Sequence, residues 1–323
     1  MHPKLLLLAC SAVICQHAFC WGFYAHKKIN HHAVFLLPPA MMAFYKPHID
    51  FITEHAVDPD KRRYIVTAEA PRHYIDLNRY GAYPFNDLPR AWISAVEKYG
   101  EDSLMAHGIV PWWIDIMHQR LTRAFREKNH SAILKLSTEI GHYIADAHVP
   151  LHAHSNYNGQ QTGQQGIHGF WESRIPELLA ETAFDYFIGK AQYISSPQQF
   201  MWQRVLESAA AADTVLSVEK RLTQQFPPAL KYAFEARNGI IIRQYSSAFT
   251  IAYDKGLQGM VERRMRQSVF AVASFWYTAW INAGQPGLHP QADAHFSETD
   301  KNDSDALDRL WKTADSKGRT CGN

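Results

Sequence analysis

Apolar residues recur at helical spacing through almost all of this 323-residue chain, and that periodicity constrains its fold more than any other feature. Runs that alternate apolar and polar residues, which are typical of strands, are few. The pattern therefore predicts an all-α fold, with a single multi-helix domain over residues 21–286 and a polar, loosely ordered tail over residues 287–323. Helices are predicted at 26–36, 40–54, 89–99, 111–127, 131–147, 169–186, 197–226, 228–238, 240–253 and 256–283.

Residues 1–20 have the pattern of a cleaved signal peptide. Lys4 precedes the apolar stretch 5–14, and small residues at the −3 and −1 positions end at Cys20. We expect export to the periplasm or the extracellular space, with cleavage making Trp21 the first residue. Of the four cysteines only Cys321 would then remain, so we expect no internal disulfide.

The charge balance does not indicate a strongly basic surface of the kind that binds nucleic acid or an anionic membrane. The formal net charge is +2, and removing Lys4 with the leader lowers it to +1. No segment after the leader resembles a transmembrane helix, and no stable protein partner is inferred.

Two pairs of potential metal ligands have helical spacing. His142 precedes Asp146 by four residues, and His168 precedes Glu172 by four. On a helix such residues lie on one face about 6 Å apart, so both side chains can bind one cation. Imidazole with carboxylate is a donor set that zinc accepts. Because a proline ends the helix after Asp146 and His152 follows it, the sequence predicts a site for more than one metal ion.

These motifs resemble the zinc-dependent phospholipase C and single-strand-specific zinc nuclease superfamily. The resemblance spans residues 21–176 and includes His73, which is followed by Tyr-Ile-Asp, and the Trp21-x4-His26 spacing at the predicted mature terminus. It implies a helical protein that holds three zinc ions (Zn2+) and hydrolyses phosphodiester or phospho-ester bonds.

The resemblance also implies which residues hold each ion. One zinc would be held by Asp58, His73, His142 and Asp146. A second would be held by His152, His168 and Glu172. A third would be held by the free amino group and carbonyl of Trp21, by His26 and by the other oxygen of Asp146. The catalytic roles fall on Asp146, which would bridge two ions, and on Asp58, which would orient or deprotonate the attacking water. Asp60 has a similar context, so the choice between Asp58 and Asp60 stays open.

Three functions are compatible with these residues. The first is a phospholipase C-like enzyme that hydrolyses phospholipid head groups and contacts a membrane surface transiently. The second is a nuclease or 3′-nucleotidase acting on single-stranded nucleic acid, and the third is a zinc-binding scaffold without turnover. Glu172 and the segment 150–156 match the phospholipase branch, whereas the Trp21–His26 spacing matches the nuclease branch. In the phospholipase branch the residue after the counterpart of Asp58 is a tyrosine that forms part of the choline pocket. Pro59 stands there in this chain, which argues against a preference for choline head groups. We favour the phospholipase interpretation.

Several further residues have two interpretations each. Arg72 is either a phosphate contact or a solvated side chain. The aromatic residues near the predicted site can border a lipid surface or stack on a nucleobase, and these are Tyr24, Tyr74, Tyr157 and Phe170.

Overall fold

Helices dominate the computed structural model, which describes residues 22–237, 240–288, 298–313 and 317. Among these residues no helix has the length and apolarity needed to cross a membrane. The α-helices are α1 (Phe23–Val34), α2 (Pro39–Tyr45), α3 (Ile49–Glu54), α4 (Asp58–Arg62), α5 (Trp92–Tyr99), α6 (Glu101–His107), α7 (Val110–Arg126), α8 (His130–Ala147), α9 (Ile167–Gly169), α10 (Ile175–Leu179), α11 (Pro197–Gln225), α12 (Ser247–Gly256), α13 (Met260–Asn282) and α14 (Glu298–Leu310).

Shorter elements connect these helices. The 3-10 turns are Lys46–His48, His55–Val57, Ala70–His73, Leu77–Arg79, Pro150–Ala153 and Pro228–Leu230. A π-helical turn, Phe170–Arg174, continues from α9 into α10. The two strands are β1 (Tyr232–Arg237) and β2 (Ile240–Tyr245).

Helix α8 lies at the centre of the domain, where it packs against α1, α7 and α13. Gly141 of α8 permits the close approach of α1, because an added Cβ would lie 2.1 Å from Asn30 Oδ1. Asn30 fixes the contact by donating a hydrogen bond from Nδ2 to Thr138 O at 3.1 Å. This packing places His26 of α1 beside His142 of α8.

The helix predicted at 228–238 is wrong beyond the 3-10 turn Pro228–Leu230, and the helix predicted at 240–253 is wrong over residues 240–245. Strands β1 and β2 form an antiparallel two-stranded sheet, with Tyr232 opposite Tyr245. The three consecutive isoleucines at 240–242 favour a strand, and the Asn238-Gly239 dipeptide is a strong hairpin signal. The helix resumes only at α12, where Ser246 Oγ accepts a hydrogen bond from Phe249 N at 3.2 Å.

Part of the predicted loosely ordered tail is helical. Helix α14 lies against α4, and Asp308 forms an ion pair with Lys61 at 2.6 Å. The Trp311 ring follows this helix and packs against Phe23 with a centroid separation of 5.3 Å. These contacts stabilise a helix that the polar composition alone did not predict.

Candidate metal centre

Five buried side chains from four separate segments form what we call the central cluster. They come from α1, α4, the 3-10 turn at Ala70–His73 and α8, and each is at most 5% exposed. The members are His26, Asp60, His73, His142 and Asp146. Within it, two overlapping groups of donor atoms can each hold a metal ion: His26, His142 and Asp146, and Asp60, His73 and His142.

Asp146 occupies the middle of the central cluster, and its two oxygens face different donors. Oδ2 lies 2.9 Å from His73 Nδ1 and 3.3 Å from His142 Nε2. Oδ1 lies 3.5 Å from His26 Nε2 and 3.6 Å from His152 Nδ1. The helical spacing predicted for His142 and Asp146 is confirmed, since both lie in α8.

Asp60 supplies the second carboxylate of the central cluster. Its Oδ1 lies 3.7 Å from His142 Nε2 and 3.8 Å from His73 Nδ1. Both of its oxygens are buried and have no hydrogen-bond partner among the described residues. Arg63 Nη1 lies 3.8 Å from Oδ1, beyond hydrogen-bond distance. A buried carboxylate is costly unless a cation or donors compensate it, so the arrangement is suited to a metal ion beside the histidines.

The structure does not bring Asp58 to this cluster. Asp58 Oδ2 instead accepts a hydrogen bond from His55 Nδ1 at 2.7 Å, and Oδ1 pairs with Lys61 at 3.1 Å. Its side chain lines a different cavity beneath α14. Asp58 and Asp60 lie two residues apart on one short helix, about 200° around its axis, so only one of them can face α8. The structure thus places Asp60, and not Asp58, beside His73 and His142.

A second cluster consists of His152, His168 and Glu172, all buried. His168 Nε2 lies 3.0 Å from Glu172 Oε2 and 3.0 Å from His152 Nε2. His152 Nε2 is 3.4 Å from the same carboxylate oxygen. These three side chains converge on one point, as the sequence predicts, and can hold one metal ion.

The backbone around Glu172 is a π-helical turn and not the α-helix expected from the His168-x3-Glu172 spacing. Such turns are rare and occur often at functional sites. Here the turn carries Glu172 toward His168 and His152 while Trp171, the residue before it, is completely buried.

In two histidines, the ring nitrogen that faces away from its cluster (the outer nitrogen) makes a hydrogen bond that determines which nitrogen has a lone pair available to a metal. His142 Nδ1 donates to Ala56 O at 2.8 Å, and His152 Nδ1 donates to His73 O at 2.7 Å. A carbonyl can only accept, so in the neutral rings the proton lies on Nδ1 and the lone pair on Nε2. In both residues Nε2 faces the other donors of its cluster.

The donor separations are compatible with zinc. Bonds of about 2.0–2.1 Å in a tetrahedron place neighbouring ligand atoms about 3.3 Å apart. The separations given above run from 2.9 Å to 3.8 Å in the central cluster and from 3.0 Å to 3.4 Å in the second, and the donor atoms of each group all lie within 4.8 Å of one another. Both clusters need only small adjustments to close around such an ion.

The charges of the central cluster shift the pKa values of its members strongly. Burial lowers the pKa of His142, but the carboxylates of Asp146 and Asp60 outweigh it and raise the value to about 9. Burial and the neighbouring His142 lower the pKa of His26 to about 4. Burial alone would raise the pKa of Asp146, whereas His142 and His152 bring it well below the ordinary value. The cluster thus attracts positive charge into a buried space.

Other residues from the sequence prediction have different positions. Trp21, the predicted ligand of a third ion, lies outside the described residues. Arg72 is partly exposed, its Nη1 donates to Glu69 at 2.6 Å, and its guanidinium lies 3.9 Å from the centre of the Trp113 ring. Glu69 itself was missed, although Glu69-x3-His73 repeats the spacing of the two recognised pairs.

Comparison with known proteins assigns no family. No protein-family model matches the chain, and no curated protein matches it. The geometry of the two clusters therefore has to support any functional conclusion by itself.

Proposed function

We propose that the protein is a zinc-dependent phosphodiesterase with three metal ions. The observation that carries this proposal is the position of Asp146, whose two oxygens face different sets of nitrogen donors. A carboxylate is the side chain that can bridge two ions in this way, and closely spaced zinc ions are typical of enzymes that displace an oxygen at phosphorus.

Each ion has its own donor set in this proposal. The first would be held by Asp60, His73, His142 and Asp146. The second would be held by His152, His168 and Glu172. The third would be held by His26 and Asp146, together with the backbone of Trp21, which lies outside the described residues.

Bound zinc would lower the pKa of a water molecule toward neutrality and neutralise charge on the phosphoryl and leaving oxygens. The protein's own residues prepare that chemistry. Asp60 Oδ1 faces the histidines, and Oδ2, which is buried and has no hydrogen-bond partner among the described residues, would accept a hydrogen bond from the attacking water. In this proposal Asp60 takes the role that the resemblance implies for Asp58. The hydrogen bonds to Ala56 O and His73 O keep His142 and His152 oriented, so the site does not have to reorganise during turnover.

A phospholipid is the substrate class that the surface near the second cluster favours. The β1–β2 hairpin exposes Phe234 by 76% and Ile241 by 72%. The base of the hairpin packs beside the second cluster, because Tyr245 stacks on Phe170 with a centroid separation of 3.8 Å. Phe170 lies between His168 and Glu172 in the sequence. Exposed apolar side chains on an element that packs against a site support an enzyme that works at a lipid surface.

Base stacking has less support among the aromatic candidates. Tyr74 and Phe170 are 7% and 2% exposed and belong to the core, so neither can present a ring face to a nucleobase. Tyr24 donates a hydrogen bond to Glu181, and Lys28 lies over its ring. Tyr157 is half-buried and packs edge-on to His168. A nucleic-acid substrate is therefore an alternative outcome of the experiment below.

The test is a substrate panel with the protein processed at Trp21. It contains phosphatidylcholine and other phospholipids, single-stranded DNA and RNA, and 3′-mononucleotides, each assayed with chelator and after zinc is restored. Release of a phosphorylated head group that chelator abolishes and zinc restores is the expected result. The same behaviour on nucleic acid would make the protein a nuclease. Zinc binding without turnover on any substrate would contradict the proposal.

A further inference from the structure

The outer nitrogen of His73 has a different neighbour from those of His142 and His152. His73 turns Nδ1 toward the central cluster, 2.9 Å from Asp146 Oδ2. Its Nε2 therefore points outward, where Glu69 Oε1 lies 3.6 Å away. Glu69 is completely buried, as is the imidazole edge that it faces. The outer nitrogen of His73 thus faces a carboxylate, whereas the outer nitrogens of His142 and His152 donate to backbone carbonyls.

Glu69 is held in place by three further groups. Its Oε2 accepts hydrogen bonds from Arg62 Nε at 3.1 Å and from Arg72 Nη1 at 2.6 Å. The hydroxyl of Tyr143 donates to Oε1, the oxygen that faces His73. Two guanidinium groups and a phenol therefore fix the carboxylate and keep Oε1 directed at the imidazole.

The ionisation of Glu69 agrees with this arrangement. Burial alone would raise its pKa, but the proximity of His73 and the charge of Arg62 bring the pKa below the ordinary range.

We infer that Glu69 is a positioning residue that keeps the proton of His73 on Nε2 and so leaves the Nδ1 lone pair for the ion held with Asp60, His142 and Asp146. Carboxylates that accept the outer N–H of a ligating histidine orient the ring and raise its basicity, and their loss costs about 10- to 100-fold in metal affinity. The inference rests on the proposed metal site, but not on the identity of the substrate.

The chain offers a matched control for Glu69. Glu139 Oε1 accepts a hydrogen bond from Arg62 Nη1 at 2.9 Å, so it belongs to the same charged network. No hydrogen bond or ion pair joins Glu139 to His73 among the described residues. Glu69→Gln and Glu139→Gln remove one charge each from around Arg62, but only the first alters the group behind His73.

The experiment measures zinc affinity by chelator competition on the purified protein and compares the two variants. We expect E69Q to bind one of its ions about 10- to 100-fold more weakly, and E139Q to stay within about twofold of the parent. In nitrogen-15 spectra of the zinc-loaded parent, labelled on histidine, we expect His73 to carry its proton on Nε2, and E69Q to lose that signal or shift it. If E69Q does not fold, Tyr143→Phe takes its place, because it removes the donor to Oε1 without changing the charge of Glu69.

Equal zinc affinities in E69Q and E139Q, or a His73 proton on Nδ1 in the parent, would overturn the inference. Because binding is measured without turnover, the two proposals fail separately. A parent that binds zinc and hydrolyses none of the esters contradicts the proposed function alone, whereas a parent that hydrolyses an ester while E69Q keeps full affinity contradicts only the role of Glu69.

Discussion

The central and second clusters hold metal-ligand side chains of the same kinds but are built in different ways. The central cluster takes its five members from segments that run from His26 to Asp146, and it contains two carboxylates. The second cluster takes its three members from a span of 21 residues, His152 to Glu172, and it contains one. Behind the central cluster lies the charged network of Glu69, Arg62 and Arg72. The central cluster therefore depends on long-range packing, and the second on local geometry.

The largest effect should come from Asp146, where the two clusters meet. Asp146→Asn keeps the size of the side chain but removes the charge that faces four imidazoles. We expect loss of two zinc ions and a fall in turnover of at least about 1,000-fold, because several kcal/mol of charge stabilisation disappear. Metal analysis and turnover on the best substrate of the panel measure both. Full zinc content in the variant would rule out a bridging carboxylate.

His152→Ala should damage the second cluster and leave the central one loaded. We expect one zinc ion fewer per protein and about a 100-fold loss of turnover, since one of the ions that neutralise phosphate is absent. His154→Ala is the matched control two residues away, because His154 Nδ1 accepts a hydrogen bond from Asn156 N at 2.9 Å and belongs to neither cluster. A loss of zinc in the His154 variant, with none in the His152 variant, would reverse our assignment.

The variants Asp60→Asn and Asp58→Asn compare a residue of the central cluster with a residue on the other side of the same helix. We expect the Asp60 variant to bind its first ion about 10- to 100-fold more weakly. The Asp58 variant should keep full zinc affinity and lose at most about 1 kcal/mol of stability, as is usual for a partly exposed ion pair. Chelator competition and denaturant unfolding distinguish the two. Equal zinc affinity in both variants would return the choice of carboxylate to an open question.

The smallest effect on zinc should come from His118, a buried histidine of α7 that belongs to neither cluster. Burial lowers its pKa from 6.5 to about 4, so the folded protein favours the neutral ring. Its contribution to stability is complete above pH 6.5 and is lost as the pH falls toward 4, by about 3 kcal/mol in all. His118→Gln should reduce the difference in unfolding free energy of the zinc-free protein between pH 7 and pH 4 by about that amount. An unchanged difference would mean that other groups control the acid dependence.

The helical class and the local metal pairs could be predicted from the sequence because both depend on short-range periodicity. The spacing of His142 and Asp146 fixes their common face once the segment is helical, and α8 confirms it. The grouping of His152 with His168 and Glu172 was implied by the family resemblance, and the structure brings the three side chains together. The hairpin was predicted wrongly, because apolar residues spaced for a helix also fit strands when β-branched residues and a turn dipeptide are present.

The sequence by itself determined the local pairing of potential metal ligands and the predominance of helices, because these follow from backbone periodicity over a few residues. Only the tertiary structure decided that Asp60 and not Asp58 faces His73, since both occupy the same short helix and only its docking against α8 selects one side. It also decided that Glu69 lies beside the outer nitrogen of His73. The absence of a side chain at Gly141 lets α1 pack close to α8, which places His26 beside His142. Those choices come from contacts between segments far apart in the chain, which no local spacing encodes.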